Sequence, residues 1–278
     1  MTDKVKKERV DVLLVEQGIC ETREGAKRAI MAGLAYAGDL RLDKPGEKIA
    51  VDAQLHVKGG GSRYVSRGGL KLEKALADFD LSVDGKLMLD IGSSTGGFTD
   101  CALQNGAVHC YALDVGYNQL AWKIRQDERV TVMERTNFRH SKPEDFTEGL
   151  PEFATIDVSF ISLRIILPVL KTVIVPGGDV IALVKPQFEA GREQIGKKGI
   201  VRDPKVHKQV LLDVADYATK AGFHVKTMTF SPITGGEGNI EFLFHLRSAE
   251  EIETIEGITA EGAAQIVSEA HKQLKTHP

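Results

Sequence analysis

From residue 70 onward the chain repeats one alternation: a short apolar run of strand character, then a helical pattern. The runs fall at 87–91, 110–114, 130–134, 154–158, 180–184, 225–230 and 241–246. Strands alternating with helices predict a mostly parallel, doubly wound α/β sheet. Only SPITGGEGN and one isoleucine separate the last two runs, which predicts an antiparallel pair at one edge. A chain of 278 residues has room for one such domain and a smaller companion.

The companion lies before the segment 58–69, KGGGSRYVSRGG, whose five glycines and two serines bend easily. The expected division is a small domain at 1–60, a linker at 61–69 and a large domain at 70–278. In the small domain, helical spacing covers 8–18 and stops at Gly18. Thr22 caps a second helix over 23–32 that ends at Gly33. Short strands are expected at 34–36, 40–42 and 54–57, which makes a compact α+β module. Residues 1–75 hold 15 Lys/Arg against 11 Asp/Glu, and the remainder holds 21 against 28. A basic first part on an acidic body points to a polyanionic partner. Arg23, Lys27 and Arg28 share one helix face, which suits either solvent or RNA phosphates.

The longest stretch free of Asp, Glu, Lys and Arg, 101–113, is too short for a membrane helix and contains Gly106 and His109. The opening MTDKVKKERVDVLL shows no secretory pattern. Cys20, Cys101 and Cys110 have no zinc-like spacing, and no metal site is expected. Buried thiols in a cytoplasmic protein are the expectation.

The segment DIGSSTGGFTD, 90–100, follows the first strand of the large domain. Its glycines permit positive φ and close approach of the backbone to a ligand, and the next helix offers free N–H groups. The spacing fits neither G-x-G-x-x-G nor a P-loop. Asp90 before the glycines suits a ligand with a cationic group. Asp114, ending the second strand, suits ribose hydroxyls. Together they point to S-adenosylmethionine, a nucleoside bearing amine, carboxylate and sulfonium.

Four further polar residues stand at strand or helix ends: Lys71 in GLKLEKAL, Asp157 in ATIDVSF, Lys185 in IALVKPQFE and Glu241 in GNIEFLF. Asp157 and Lys185 meet if their strands are neighbours. A partly desolvated lysine suits an alcohol acceptor, either taking its proton or only orienting it. The segment Asp157-Val-Ser-Phe160 lacks the prolines of many base N-methyltransferases. No cysteine follows Pro or Thr, as a cytosine C5 nucleophile typically does. A ribose 2′-OH is the acceptor that fits. The segment 189–204 suits either a lid or an RNA-contacting loop.

SRGGLKLEKAL, DIGSSTGGFTD, ALDVGYNQLAW, ERTNFR, DVSFISL, LVKPQFE and GNIEFL stand in one order along the chain. In combination they resemble the TlyA (hemolysin A) family of rRNA 2′-O-ribose methyltransferases, whose catalytic domain is FtsJ-like. The resemblance implies a Rossmann-like seven-stranded methyltransferase sheet behind a small alpha-L type RNA-binding domain. It implies a Lys-Asp-Lys-Glu tetrad at Lys71, Asp157, Lys185 and Glu241. It implies cofactor contacts from Asp90, Gly92, Ser93, Ser94, Gly96, Gly97 and Phe98, ribose contact from Asp114, and adenine contact from Asn137 and Phe138. RNA contact falls to Arg9, Arg23, Lys27, Arg28, Arg63 and Arg67. Where the family often has Arg-x-Trp-Val, this chain reads Ser62-Arg63-Tyr64-Val65. The implied reaction is 2′-O-methylation of a cytidine ribose in ribosomal RNA, on RNA or ribosomal subunits, with no membrane and no obligate protein partner. A non-catalytic ribosome-binding factor and a membrane-active hemolysin are the competing readings.

Overall fold

The computed structural model describes residues 7–17, 19–20, 22–38, 40–51, 53, 55–57, 63–249 and 258–274. The chain forms two compact units, Met1–Arg63 and Tyr64–Pro278.

The first unit is α+β. Strand β1 (Lys7–Arg9) leads into helix α1 (Val10–Glu16), and α2 (Arg23–Met31) follows. Strands β2 (Ala35–Ala37), β3 (Leu40–Arg41), β4 (Lys48–Ala50) and β5 (Leu55–Val57) complete it. Thr22 caps α2 by accepting the Gly25 N–H at 3.1 Å, and Gly33 turns the chain at φ +70°. Val10, Leu13, Leu14, Ala26 and Ile30 meet Ala35, Leu42 and Leu55 in a small core. Antiparallel pairing of β1 with β4 turns residues 7–9 into strand, where helical spacing alone starts a helix at Glu8. The reason is tertiary: a partner strand supplies the hydrogen bonds. Gly18 and the segment 58–62 lie outside the described residues.

The second unit opens with α3 (Gly69–Asp78), β6 (Leu87–Ile91), α4 (Gly97–Gln104), β7 (His109–Leu113), α5 (Trp122–Arg125) and β8 (Val130–Met133). It continues with β9 (Phe153–Ile156), α6 (Leu163–Val173), β10 (Asp179–Val184), α7 (Pro186–Glu189) and α8 (Pro204–Lys220). Strands β11 (Phe223–Phe230) and β12 (Phe242–Ser248) and helix α9 (Ala260–Leu274) close it. The sheet runs β11-β12-β10-β9-β6-β7-β8. Strands β6 to β10 pair in parallel, whereas β12 inserts antiparallel between β10 and β11.

Both faces are covered, which explains the continuous apolar runs. Alternate residues such as Leu89, Ile91, Ala182 and Val184 pack with α6, α8 and α9. Their neighbours Met88, Ala112, Ile181 and Leu183 pack with α3, α4 and α5. This is the doubly wound, Rossmann-like arrangement. Cys101 and Cys110 are buried and Cys20 half-buried, and none of the three is in a disulfide. Among the described residues no helix is long and apolar enough to cross a membrane.

The segment read as linker is divided. Residues 64–69 belong to the second unit, where Tyr64 is buried. A Cβ on Gly69 would stand 2.3 Å from the Tyr64 ring, and one on Gly97 would stand 2.3 Å from Ser66 Oγ. Val65 N–H donates to Asp100 Oδ2 at 2.8 Å. These glycines permit close packing of α3 on α4.

Candidate active site

The glycine loop is shaped by its own residues before any ligand is considered. Gly92 takes φ +85°, Ser94 +48° and Gly96 +96°. Gly92 and Ser93 N–H both donate to Leu113 O, at 2.8 and 3.0 Å, which ties the loop to the end of β7. Asp114 accepts from Ser94 N–H at 2.8 Å and Gly116 N–H at 2.7 Å. The acid expected at a ribose thus also fixes the strained turn at Ser94.

Asp90 has internal partners as well. It is fully buried, and its contacts are internal: Thr99 N–H at 3.1 Å, Thr99 hydroxyl at 2.7 Å and Thr155 hydroxyl at 3.0 Å. Burial pushes its carboxyl up to about 6, against the hydrogen bonds from Thr99 and Thr155. Asp90 thus ties β6 to α4 and β9 while it also lines the cavity over the loop.

A cavity of about 350 Å³ opens over this loop. Asp90, Gly92, Ser93, Ser94, Gly97 and Phe98 line it, together with Arg67 and the four residues Lys71, Asp157, Lys185 and Glu241. Gly96 supplies the turn into α4, and Asp114 adjoins the cavity through Ser94. Asn137 and Phe138 lie outside the lining. Asn137 caps a short helical turn by accepting Arg139 N–H at 3.2 Å, and the Phe138 ring is part of the core.

Parallel pairing of β9 with β10 brings Asp157 and Lys185 together just past the strand ends. Lys185 Nζ is 2.5 Å from Asp157 Oδ1 and donates to Ser159 Oγ at 3.1 Å. Lys71 Nζ donates to Glu241 Oε2 at 2.7 Å and stands 3.5 Å from Asp157 Oδ2. Two cations and two carboxylates therefore alternate along one chain of contacts, and both lysines are buried. Glu241 fits because residue 235 is glycine: a Cβ there would stand 2.1 Å from Glu241 Oε1. Among the described residues no cluster of His, Cys, Asp and Glu could hold a metal ion.

Sequence spacing missed several contributors. Ser159 is one. Phe160 is another, 91% exposed at φ +64° with its ring centroid 5.0 Å from that of Phe188. Asn239 is a third. Its side chain accepts Val201 N–H at 3.1 Å and donates to Gly199 O and Gly236 O at 3.1 Å. It thereby docks part of the 189–204 segment on the turn before Glu241. Only β-strand register and loop packing carry these signals.

The cavity suits S-adenosylmethionine in its donor set. Arg67 and the start of α4 line the side where a carboxylate can sit, Asp114 adjoins the cavity through Ser94 with a lone pair left on each oxygen for a diol, and the size matches a ligand of this class.

The first unit revises the basic face. Asp11 is fully buried and binds Arg9 through Nε at 2.9 Å and Nη2 at 3.0 Å, and Arg23 through Nη2 at 3.0 Å. The Arg9 hydrogen bond leads in holding the Asp11 carboxyl down at about 2, with Arg23 assisting against burial. Lys27 pairs with Glu24 at 2.6 Å on the surface. Arg28 is exposed and has no ion-pair partner among the described residues. The three cations of α2 are therefore not equivalent. Arg63 is exposed at the end of this unit.

Comparison with known proteins adds independent weight. The family model for FtsJ-like methyltransferases matches residues 64–248. The YqxC protein of Bacillus subtilis is 67% identical over 97% of this chain and 96% of its own length. The 16S/23S rRNA (cytidine-2'-O)-methyltransferase TlyA of Mycobacterium tuberculosis is 40% identical over 95% of this chain and 97% of its own. A solved Streptococcus thermophilus structure that carries the hemolysin name superposes with a TM-score of 0.78 at 57% identity, covering 98% of each chain.

Proposed function

We propose a function from one premise: this chain belongs to the FtsJ-like methyltransferase family, in its TlyA branch. It methylates the 2′-oxygen of a cytidine ribose in ribosomal RNA, using S-adenosylmethionine. The observation that carries this reading is the contact chain Lys185–Asp157–Lys71–Glu241 in the same cavity as the glycine loop.

When bound, S-adenosylmethionine supplies an electrophilic methyl on a sulfonium that becomes a neutral thioether on transfer. Gly92, Ser93, Ser94, Gly96, Gly97 and Phe98 hold its amino-acid part, and Asp114 its ribose. Asn137 and the Phe138 backbone meet the adenine. An ammonium has three N–H donors. Asp157 and Ser159 take two from Lys185, which leaves one for the 2′-oxygen. That count favours Lys185 as the group that orients the hydroxyl, with the proton passing to water as the C–O bond forms. Lys71 holds Asp157, and Glu241 holds Lys71. Most of the acceleration is then positioning, which can supply about 7–11 kcal/mol.

Residues 1–60 serve as an alpha-L type RNA-binding domain. Arg9 and Arg23, preset by Asp11, work with Lys27, Arg28, Arg63 and Arg67 on phosphates. The target nucleotide flips out to reach the cavity. The substrate is a ribosomal subunit or its RNA, and the place of action is the cytoplasm.

The direct test is alkaline hydrolysis of RNA treated with protein and S-adenosylmethionine. A 2′-O-methyl group blocks cleavage at its own phosphodiester, so one resistant position is expected. Complete hydrolysis refutes the reading. Docking has its own test. Replacing Lys27 and Arg28 together with alanine weakens RNA binding and flattens its salt dependence, by roughly 0.7–0.9 in slope for each phosphate no longer neutralised. Arg23 is spared because its loss exposes Asp11. An unchanged slope means this helix face meets only solvent.

A further inference from the structure

We propose that Glu189 is a positioning residue for methyl transfer, its carboxylate fastening the segment of Asp157 and Ser159 to the segment of Lys185. This rests on the methyltransferase reading above.

Glu189 ends α7, four residues past Lys185, and is not among the residues that line the cavity. It therefore does not touch the reacting atoms, yet three donors converge on it. Oε1 accepts Leu163 N–H at 2.8 Å, and Oε2 accepts the Ser162 and Tyr217 hydroxyls, each at 2.6 Å. Ser162 caps α6 and already accepts Arg164 N–H at 3.1 Å, so its own O–H is free to donate to Glu189. The carboxylate thus completes the first turn of α6 from the neighbouring connection.

The six residues 157–162 then have two anchors. At one end β9 and its pairing fix Asp157, and at the other Glu189 fixes Ser162. Between them Phe160 holds φ +64°, a conformation that a bulky L residue rarely adopts and that persists only where the surroundings impose it. With the second anchor removed, Phe160 can relax, and Asp157 and Ser159 lose register with Lys185. A shift of about 1 Å in a positioned group is enough to cost about 100-fold in rate.

The charge state matters as well. Burial pushes the Glu189 carboxyl up, opposed by Leu163, Ser162, Tyr217 and the Arg164 guanidinium, which sits over the Tyr217 ring at 5.2 Å. A protonated carboxyl facing three donors must give one up, so activity declines on the acid side as Glu189 titrates. Arg164 on α6 and Tyr217 on α8 are the ionisable groups that face it.

The test compares the full-length wild type with Glu189→Gln and Tyr217→Phe in transfer of labelled methyl from S-adenosylmethionine to ribosomal RNA across pH. Glu189→Gln keeps the volume but cannot ionise. Its kcat is expected to fall about 10–100-fold, with KM for S-adenosylmethionine within about twofold and the acid limb of kcat abolished. Tyr217→Phe removes one donor, so its acid limb moves to higher pH with little loss at the optimum. A wild-type kcat in Glu189→Gln, or an acid limb unmoved in Tyr217→Phe, overturns the proposal. Should Glu189→Gln not fold, the Tyr217→Phe limb decides alone. A wild type that transfers no methyl at any pH removes the methyltransferase reading itself and this proposal with it, a result visible before any variant is compared.

Discussion

Replacing Lys185 by alanine eliminates methyl transfer, with a loss of at least about 1000-fold expected for a group that acts directly on the acceptor. Cofactor affinity stays near that of the wild type, because the loop over 92–97 is held by Leu113 and Asp114 and not by Lys185. The substitution leaves Asp157 with Lys71 as its cation at 3.5 Å, so the carboxylate is not abandoned and the fold survives. Single-turnover transfer and calorimetric titration with S-adenosylmethionine separate the two effects. Normal turnover in the variant refutes the role given to Lys185. Lost cofactor binding with lost turnover means that the lysine belongs to the cofactor site.

The second large effect is expected at Gly92. An alanine there meets two obstacles. Its φ of +85° is strained for an L side chain, and its Cβ stands 2.3 Å from Asp157 O. That oxygen is backbone just past β9, whose pairing with β6 is continuous, so no rotamer change relieves the clash. Strain of about 1–3 kcal/mol adds to overpacking of about 1–3 kcal/mol. The sum is a large part of a typical stability of about 5–15 kcal/mol. Gly92→Ala is therefore expected to melt well below the wild type and to lose both cofactor binding and transfer. Gly236→Ala is the control, since a Cβ there has no heavy atom within 4 Å. Thermal unfolding of both variants checks the contrast. Equal melting temperatures contradict the packing described at Gly92.

The fold of the second unit was legible because each strand is covered on both faces and reads as an apolar run. The site was legible where local position decides it. Asp157 and Lys185 each follow the last residue of a parallel strand, and neighbouring parallel strands deliver their C-terminal ends to one edge. The insertion of β12 between β10 and β11 was not legible, since strand order is not written in a local pattern. Ser159 and Glu189 stand inside the motifs DVSFISL and LVKPQFE, yet nothing local gives them a role. Their partners, Lys185, Ser162 and Tyr217, lie 26 to 28 residues away or on other elements. Asp11 shows the same limit: the spacing of Arg23, Lys27 and Arg28 predicts one basic face, but a buried carboxylate on another helix draws Arg23 aside. The SRGG segment reads as flexible from composition, whereas packing against Tyr64 makes Gly69 a steric requirement, and Ser66 and Gly69 in turn require glycine at 97.

Nucleoside mass spectrometry is the most direct measurement: ribosomal subunits and naked ribosomal RNA are incubated with the protein and labelled S-adenosylmethionine, then digested. Labelled 2′-O-methylcytidine is the expected product, absent when Lys185→Ala replaces the wild type. A labelled base-methylated nucleoside, or no transfer to either substrate, contradicts the assignment of the Lys71–Asp157–Lys185–Glu241 cavity to a ribose hydroxyl.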